Sequence, residues 1–447
     1  MIEGIWEGNL SLGNGEIRLV FHISADEDGG LSSKIDSPDQ GANGIPVAST
    51  SFADGSLNLE VSAVGGQYTG TLSEDAQTLS GTWSQGGMEL PLNMSKTDKP
   101  TELNRPQEPE RPYPYDEEEV FFENESDDVR LAGTLTKPKS AGPFPAVVLI
   151  SGSGPQNRDE ELMGHKPFLI LSDYLTRQGL AVLRYDDRGT AESTGSFGTA
   201  TSVDLANDVQ AAVDFLKKRE DIDNENIGLA GHSEGGLIAP MLATETGNVA
   251  FIVLMAGPGL PGDEILRLQG TLLARAGGMA EPMLKQMEMV NSRLYAAAKE
   301  APDDQVKTSL EEEIASIKQD VDASTLTALG LSPDREGQII QQLSSPWFQY
   351  FLRYDPVPTL KKVKVPTLSV IGAKDLQVPA PENTEAIKAA LTGGHAELLA
   401  AEILPDLNHL FQTADTGAMS EYGQIEETMS PIALSKIGNW IKQQVTE

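Results

Sequence analysis

The chain has 447 residues, 39% hydrophobic and 22% charged, which is typical of a globular protein with a large core in about two or three domains. Its 67 acidic and 33 basic residues give a net charge of −34, which disfavours binding to nucleic acids and to anionic membrane surfaces. We interpret this charge as a solubility adaptation, and it identifies no substrate. The chain has no cysteine, which excludes disulfides, thiolate zinc sites and cysteine nucleophiles.

The N-terminal segment bears on localisation. No run of about 18 apolar residues indicates a membrane span. The segment "MIEGIWEGNL" has no basic stretch followed by an apolar core, so no signal peptide is visible. Because Trp6 already belongs to a strand-like pattern, we interpret Met1 as a start residue added to a trimmed, exported protein. We therefore expect a periplasmic or extracellular location in preference to a cytoplasmic one.

Residues 1–96 predict an N-terminal antiparallel β-domain. Short alternating segments, among them "IWEGNLSL", "GIPVASTSF", "TLSGTWS" and "MELPLNM", are separated by glycine-rich turns. Strands at a spacing of roughly 8–12 residues indicate a small barrel or sandwich. About seven or eight such strands fit a closed barrel, which leaves no exposed edge.

A segment rich in proline and charge, residues 97–115, follows the β-domain. It has little apolar surface, and we expect an extended linker there. Residues 116–447 then alternate continuous apolar strands with amphipathic helices, which indicates a mostly parallel sheet covered on both faces, an α/β fold. Within this domain, residues 261–350 break the alternation with methionine-containing helices, and they predict a helical cap over the C-terminal edge of the sheet.

The stretch "NIGLAGHSEGG" places Ser233 between Gly231 and Gly235 at a strand–turn–helix junction. In this setting the pattern G-x-S-x-G predicts a nucleophilic serine in a strained turn, with glycines where strand and helix approach each other. The start of the helix offers the N–H of Glu234 to a developing oxyanion. The other interpretation, a tight turn with an idle serine, has no need of partner residues elsewhere.

A nucleophilic serine needs a base and an acid, in the chain order serine, acid, histidine. The chain has five histidines. His22 lies in the β-domain, His165 precedes the serine, and His395 comes before the last strand, so they are disfavoured. His232 adjoins the serine, and its ring is expected to point away. His409 follows the last strand, at the functional edge of the sheet, and is the predicted base.

The predicted acid is Asp375, which follows the strand "PTLSVIGAKD" and can orient the imidazole. Glu402 and Asp406 belong to the last strand or its exit, and Asp355 precedes the strand. The loop "LISGSGPQNRD" supplies the second predicted oxyanion donor, the N–H of Ser153.

Other motifs carry less information. In "RYDDRGTAESTG", Asp187 and Arg188 are expected to pair and brace neighbouring loops. The acidic clusters miss the spacing of a calcium loop, and no dinucleotide or phosphate-loop fingerprint is present, so we expect neither a metal nor a cofactor.

Five motifs in order, "LISGSGPQNRD", "LRYDDRGTAESTG", "GHSEGG", "GAKD" and "LNHLF", make the chain similar to serine hydrolases of the α/β-hydrolase superfamily. It most resembles bacterial carboxylesterases with an N-terminal β-domain, over Val120–Pro261 and Pro366–Ile441. The resemblance implies the roles of nucleophile, acid and base for Ser233, Asp375 and His409. Two departures are that Ala191 replaces a frequent glycine and that Ser151 stands where many relatives have histidine.

We therefore expect a serine carboxylesterase that hydrolyses small or polymeric esters, of short to medium acyl chain, through an acyl-enzyme. An amidase or peptidase, an acyl-CoA thioesterase and a non-catalytic binding protein are the alternatives. Peptidases of this fold usually carry a larger N-terminal domain. A further alternative concerns the β-domain alone, which could bind lipid, polymer or glycan or mediate dimerisation, so a homo-oligomer stays among the alternatives.

Overall fold

The computed structural model describes residues 2–11, 16–25, 30–40, 42–86, 88–100, 104–245, 247–392 and 398–445. The chain divides into two compact units. The first comprises Met1–Pro106, Glu161–His165 and Tyr422–Glu426, and the second comprises Gln107–Glu160, Lys166–Glu421 and Glu427–Glu447. None of the helices within these ranges is both long and apolar enough to cross a membrane.

The described residues of the first unit form one antiparallel sheet of nine strands, in the order β4-β3-β2-β1-β9-β8-β7-β6-β5. These strands are β1 (Gly4–Ser11), β2 (Glu16–Ala25), β3 (Leu31–Ser37), β4 (Ala42–Pro46), β5 (Ser49–Ala53), β6 (Ser56–Val61), β7 (Gly66–Leu72), β8 (Thr78–Gln85) and β9 (Met88–Thr97).

The prediction of a single strand over "GIPVASTSF" is wrong, because β4 ends at Pro46 and β5 begins at Ser49. Between them the chain changes partner within two residues. Val47 donates its N–H to the carbonyl of Ser33 in β3 (3.4 Å), and Ala48 donates to Glu60 in β6 (2.7 Å). The two ends of the curled sheet therefore meet at this point, as a barrel-like arrangement requires.

Aromatic side chains fill the interior of the first unit. Trp6, Phe21 and Tyr68 are fully buried, and the rings of Phe21 and Tyr68 meet edge to face at 5.1 Å. Gly70 and Gly81 pair across β7 and β8 beneath Tyr68. A Cβ at these two positions would lie 2.3 and 2.5 Å from the Tyr68 hydroxyl. The large ring therefore fits only because both neighbours lack side chains.

The segment predicted as a linker is held by side-chain hydrogen bonds at several points, among them Arg105, Gln107 and Tyr115. Its first residue belongs to β9, and its last precedes β10 (Asp116–Asn124). Arg105 donates hydrogen bonds of 2.9–3.2 Å to four backbone carbonyls of the first unit, those of Met163, Gly164, Gly423 and Ile425. Composition alone does not indicate this anchor, because a guanidinium has five donors for any carbonyls that the fold brings near.

The second unit contains an eight-stranded sheet in the order β10-β11-β13-β12-β14-β15-β16-β17. After β10, its strands are β11 (Val129–Lys137), β12 (Phe144–Ile150), β13 (Ala181–Tyr185), β14 (Ile222–His232), β15 (Ile252–Met255), β16 (Thr367–Gly372) and β17 (Leu399–Leu404).

The α-helices of the described chain are α1 (Pro167–Arg177), α2 (Ser202–Lys217), α3 (Glu234–Glu245), α4 (Gly262–Ala276), α5 (Glu281–Glu300), α6 (Val306–Asp320), α7 (Ala323–Ala328), α8 (Glu336–Leu343), α9 (Pro346–Arg353), α10 (Val357–Leu360), α11 (Ala380–Thr392), α12 (Met419–Tyr422) and α13 (Pro431–Val445).

The sheet of the second unit confirms the predicted α/β fold. Strand β11 pairs antiparallel with β10 and β13, and the strands from β13 to β17 are parallel. Strands β13, β15 and β16 are buried along their whole length, and a hydrophobic cluster lies on each face of the sheet. Because parallel strands end at one edge, the loops after β12, β13, β14, β16 and β17 converge there.

Helices α4 to α10 are inserted between β15 and β16, where the sequence predicts a cap. They have a hydrophobic cluster of their own, which includes Leu294, Leu310 and Leu352. Trp347 of α9 packs against this cluster and also against one of the two hydrophobic clusters that cover the faces of the sheet. The inserted helices therefore fold around their own core and are joined to the sheet through α9.

The predicted pairing of Asp187 with Arg188 is wrong. Arg188 donates at 2.7 Å to Asp208 in α2 and to Asp127 in the turn between β10 and β11. A guanidinium has several N–H groups and can donate to acceptors in two different segments at once. Arg188 does so here and does not pair with Asp187, its neighbour in sequence. In the same loop Ala191 has φ of +46°, so it adopts the left-handed backbone for which relatives often use glycine.

Substitution Arg188→Met tests this brace. It leaves Asp208, 1% exposed, buried without its cation, so we expect the free energy of unfolding to fall by about 3–5 kcal/mol. Arg275→Met removes a solvent-exposed partner of Glu281 and is expected to cost less than about 1 kcal/mol. Urea denaturation of both variants measures the difference, and equal losses would contradict the assignment.

Candidate active site

The turn that holds Ser233 lies between β14, which ends at His232, and α3, which begins at Glu234. Ser233 has φ of +51°, an unusual conformation for a residue with a side chain. A Cβ on Gly231 would lie 2.0 Å from the carbonyl oxygen of Gly235, and a Cβ on Gly235 would lie 2.2 Å from that of Ile150. Both glycines are therefore required by backbone-to-backbone contact.

Two neighbouring segments hold this turn from either side. The N–H of Ser233 donates to the carbonyl of Met255, at the end of β15, at 2.8 Å. On the other side, a Cβ added to Gly152 would lie 3.2 Å from the Cβ of Ser233. The loop after β12 therefore runs directly beside the serine, which is half-buried.

The structure brings Asp375 and His409 together. Asp375 lies in the loop after β16, and its Oδ2 accepts a hydrogen bond of 2.8 Å from His409 Nδ1. Its Oδ1 accepts from the N–H groups of Gln377 and Val378, both at 2.8 Å. The side chains of His409 and Asp375 are 5% and 0% exposed. With the proton on Nδ1, the Nε2 of a neutral His409 ring is a free base.

Two residues that sequence reasoning missed build the loop of His409. The buried Asn408 accepts from the N–H groups of Leu410 and Gln412 through its side-chain oxygen, at 3.0 and 2.9 Å. Its side-chain amide donates to the Gln412 side chain at 2.8 Å. Phe411 closes the turn with φ of +62°. The motif "LNHLF" contains the signal, because asparagine commonly folds a turn onto its own backbone.

His232 connects the serine turn to the loop of His409. Its Nε2 lies 3.0 Å from the backbone carbonyl oxygen of His409, and the centroids of the two rings are 4.8 Å apart. The ring therefore lies against His409, where the sequence predicted only that it avoids the serine. Since Ser233 is the next residue, these contacts place Ser233, His409 and Asp375 in adjoining segments of one sheet edge.

The other acids and histidines weighed from sequence lie elsewhere. Glu402 contacts Lys436, and Asp406 contacts Lys374 at 3.2 Å. His22 and His165 belong to the first unit, where they contact Asp36 and the carbonyl of Tyr422. His395 lies outside the described residues.

The predicted oxyanion donors are the N–H groups of Ser153 and Glu234. Neither has a hydrogen-bond acceptor within the described chain, and that of Glu234 opens α3, where the first amides have no intrahelical partner. The N–H of Gly152 is engaged, because it donates to Glu160 Oε1 at 2.7 Å. Of these three amides, the two predicted ones are unpaired within the described chain.

Buried carboxyl groups surround the turn. The side chain of Glu234 accepts from the Ser202 hydroxyl (2.5 Å) and from Trp347 Nε1 (2.9 Å), and burial raises its pKa. Burial also raises the pKa of Asp187 to about 8, although hydrogen bonds from the Ser151 hydroxyl and from the Gln156 N–H oppose that rise. The Glu234 carboxyl is therefore held by α2 and the cap.

The arrangement contains the components of acyl transfer: a serine at a strained turn, an imidazole oriented by a carboxylate, and two unpaired amides, one at the start of α3 and one in the loop after β12. Within the described ranges, no group of three or more histidine, aspartate or glutamate side chains is placed to hold a metal ion.

A sequence model of the family described as "X-Pro dipeptidyl-peptidase (S15 family)" matches residues 127–399, more than half of the chain. Esterase EstD of Thermotoga maritima is 26% identical over 296 residues, which cover 66% of this chain and 61% of that protein. The chain thus spans about three fifths of that relative's length.

Solved structures with similarity include the Pyrococcus furiosus esterase Pf2001, at 15% identity and a TM-score of 0.45, covering 74% of this chain and 91% of that one. They also include a proline iminopeptidase of Mycobacterium smegmatis, at 13% identity and a TM-score of 0.45, covering 73% and 98%.

Substitution Gly235→Ala tests the close approach at the turn. The added methyl would collide with the Ile150 carbonyl, which the sheet holds in place, so we expect a loss of about 3 kcal/mol or more in unfolding free energy. Gly198→Ala is the matched control, since a Cβ there meets nothing within 4 Å, and we expect a change below about 0.5 kcal/mol. Urea unfolding compares them, and similar stabilities would refute the requirement.

Proposed function

Because the chain belongs to the family described as X-Pro dipeptidyl-peptidase (S15 family), a family of α/β-hydrolases, we propose that it is a serine esterase of carboxylic esters. The observation that carries this proposal is the hydrogen bond of 2.8 Å between His409 Nδ1 and the buried Asp375 carboxylate. It lies beside the Ser233 turn, and it orients the imidazole for proton transfer.

In the proposed reaction, His409 Nε2 takes the proton of Ser233 as the serine oxygen attacks the ester carbonyl. The amides of Ser153 and Glu234 donate to the oxyanion of the tetrahedral intermediate. His409 then protonates the departing alcohol, which leaves an acyl-serine. A water molecule, deprotonated by His409, releases the acid and restores the serine. Asp375 stabilises the imidazolium throughout, and the scheme uses no metal or cofactor.

Two observations bear on the substrate class. The relative from Thermotoga maritima is named an esterase, which supports esters. The family's own description names X-Pro dipeptides, which keeps peptide hydrolysis as the second candidate on the same residues. We propose esters as the substrates, because an alcohol leaves an acyl carbon more readily than an amine does, and short to medium acyl chains are the first ones to test.

Substitution Ser233→Ala tests the nucleophile. We expect kcat/KM on p-nitrophenyl acetate, butyrate and octanoate to fall by about four to six orders of magnitude, since no attacking oxygen remains. The exposed Ser196 provides the control, and Ser196→Ala should match the wild type. X-Pro p-nitroanilides and acyl-CoA thioesters complete the panel. Greater wild-type activity on either would replace the ester proposal, and ordinary turnover by Ser233→Ala would end the nucleophile assignment.

Substitution Ser153→Pro tests the oxyanion donor, because proline has no N–H. We expect kcat to fall by about 10²–10³-fold with a small change in KM, since the amide acts on charge that develops in the transition state. Ser153→Ala keeps the amide, and its side chain is solvent-exposed, so about threefold is the largest expected loss. Equal losses in the two variants would show that the amide has no such role.

A further inference from the structure

A buried pair, Glu160 and His232, lies beneath the nucleophile turn and has no part in the proton transfers above. Glu160 Oε1 lies 2.8 Å from His232 Nδ1, and the same oxygen accepts from the N–H of Gly152 at 2.7 Å. The two side chains are 8% (His232) and 6% (Glu160) exposed. Burying such groups costs free energy, which the contacts among them offset only in a matched geometry.

Both nitrogens of the His232 ring face acceptors. Nδ1 faces the Glu160 carboxylate, and Nε2 lies 3.0 Å from the carbonyl oxygen of His409. A neutral imidazole has a single N–H, so it can satisfy only one of these two acceptors. An imidazolium satisfies both. Beside a carboxylate, the geometry therefore calls for a doubly protonated ring at this position.

The electrostatic surroundings agree with this protonation state. Burial lowers the pKa of His232, but the charge and hydrogen bond of Glu160 raise it, helped by the His409 carbonyl and by Asp375, and the net pKa is above the usual value. The His409 ring also lies against it. Asp187, whose pKa is raised to about 8 by burial, and Glu234 belong to the same acidic cluster around Glu160.

The backbone of Glu160 supports a positioning role. Its φ is +51°, a conformation that costs free energy for a residue with a Cβ, and its N–H donates to the Asn157 carbonyl at 2.8 Å. This turn aims the carboxylate inward at Gly152 and His232. A side chain that only filled space would not need a strained backbone.

We propose that the Glu160–His232 pair is a positioning device for the catalytic segments. His232 holds the backbone carbonyl of His409, and Glu160 holds the amide of Gly152. The pair thereby ties the loop of the base and the loop of the oxyanion donor to the turn of Ser233. This inference rests on the proposed function, and it adds two residues that act through the base and the oxyanion loop and touch no substrate.

Substitution Glu160→Gln separates the pair from simple packing, because the shape is kept. One oxygen accepts from both Gly152 and His232, so an amide nitrogen in its place would face the Gly152 N–H. With the amide oxygen there instead, a neutral His232 donates through Nδ1 and leaves the His409 carbonyl without a donor. Either orientation loses one of the three contacts, and only with the amide oxygen in place does a second proton on His232 restore the lost one.

We therefore expect a loss in kcat that grows with pH, with KM little changed. The ratio of wild-type to Glu160→Gln kcat should rise from about threefold at pH 6 to about 10–100-fold at pH 8.5. A loss of this size is expected when a catalytic group is displaced by about 1 Å. Glu160→Asp keeps the charge and should restore a pH-independent ratio. Glu225→Gln, on the surface, is the matched control and should resemble the wild type at each pH.

Nitrogen-15 NMR of histidine-labelled protein gives a readout independent of substrate. At pH 7.5 both ring nitrogens of His232, assigned by their loss in His232→Gln, should be protonated in the wild type and only one in Glu160→Gln. A neutral His232 in the wild type, or a kcat ratio that is constant with pH, would overturn the proposal. If Glu160→Gln does not fold, the wild-type spectrum and Glu160→Asp decide it. An inactive wild type refutes the ester function but leaves the NMR test valid.

Discussion

The second unit depends on direct contacts between backbone atoms at the turn that holds Ser233. The carbonyls of Gly235 and Ile150 occupy the positions where the Cβ atoms of Gly231 and Gly235 would be. Likewise, a Cβ on Gly236 would lie 2.6 Å from the Cα of Gly257. Strand, helix and neighbouring loops therefore meet without side chains between them. The sheet cannot relax one of these contacts alone, which is why Ser233 keeps its unusual φ.

This constraint determines where the candidate site lies. The start of α3 is pressed against the end of β12, so the free amide of Glu234 and the loop of Ser153 lie on the same side of the turn. The strands on the other side, β16 and β17, deliver Asp375 and His409 to the same edge. The sheet is thus a rigid frame, and the loops that it aligns carry the candidate catalytic groups.

The buried carboxyl groups around the turn of Ser233 are all held by hydrogen bonds. Each buried carboxyl group there has hydrogen-bond donors: His409 for Asp375, His232 for Glu160, Ser202 and Trp347 for Glu234, and Ser151 for Asp187. Buried acids add little stability compared with an apolar core, so their value is geometric. Trp347 belongs to α9, and its hydrogen bond to Glu234 joins this helix to the residue after Ser233.

The sequence by itself determined most of the elements and the candidate site residues. Hydrophobic periodicity is a local property of the chain, so it predicted the antiparallel sheet, the parallel sheet and the inserted helices. The glycine spacing around Ser233 and the small number of histidines singled out Ser233, Asp375 and His409, because the chain order of strands specifies which loops share an edge.

Only the tertiary structure decided the partners of charged side chains. His232 contacts Glu160 and the carbonyl of His409, which are 72 and 177 residues away in the chain. Arg188 pairs with Asp208 and Asp127, not with its neighbour Asp187. One predicted strand is divided into β4 and β5 at the point where the two ends of the sheet meet. A polar side chain forms a hydrogen bond with an acceptor that the fold brings within about 3 Å. The local sequence cannot predict which residues, distant in the chain, come that close.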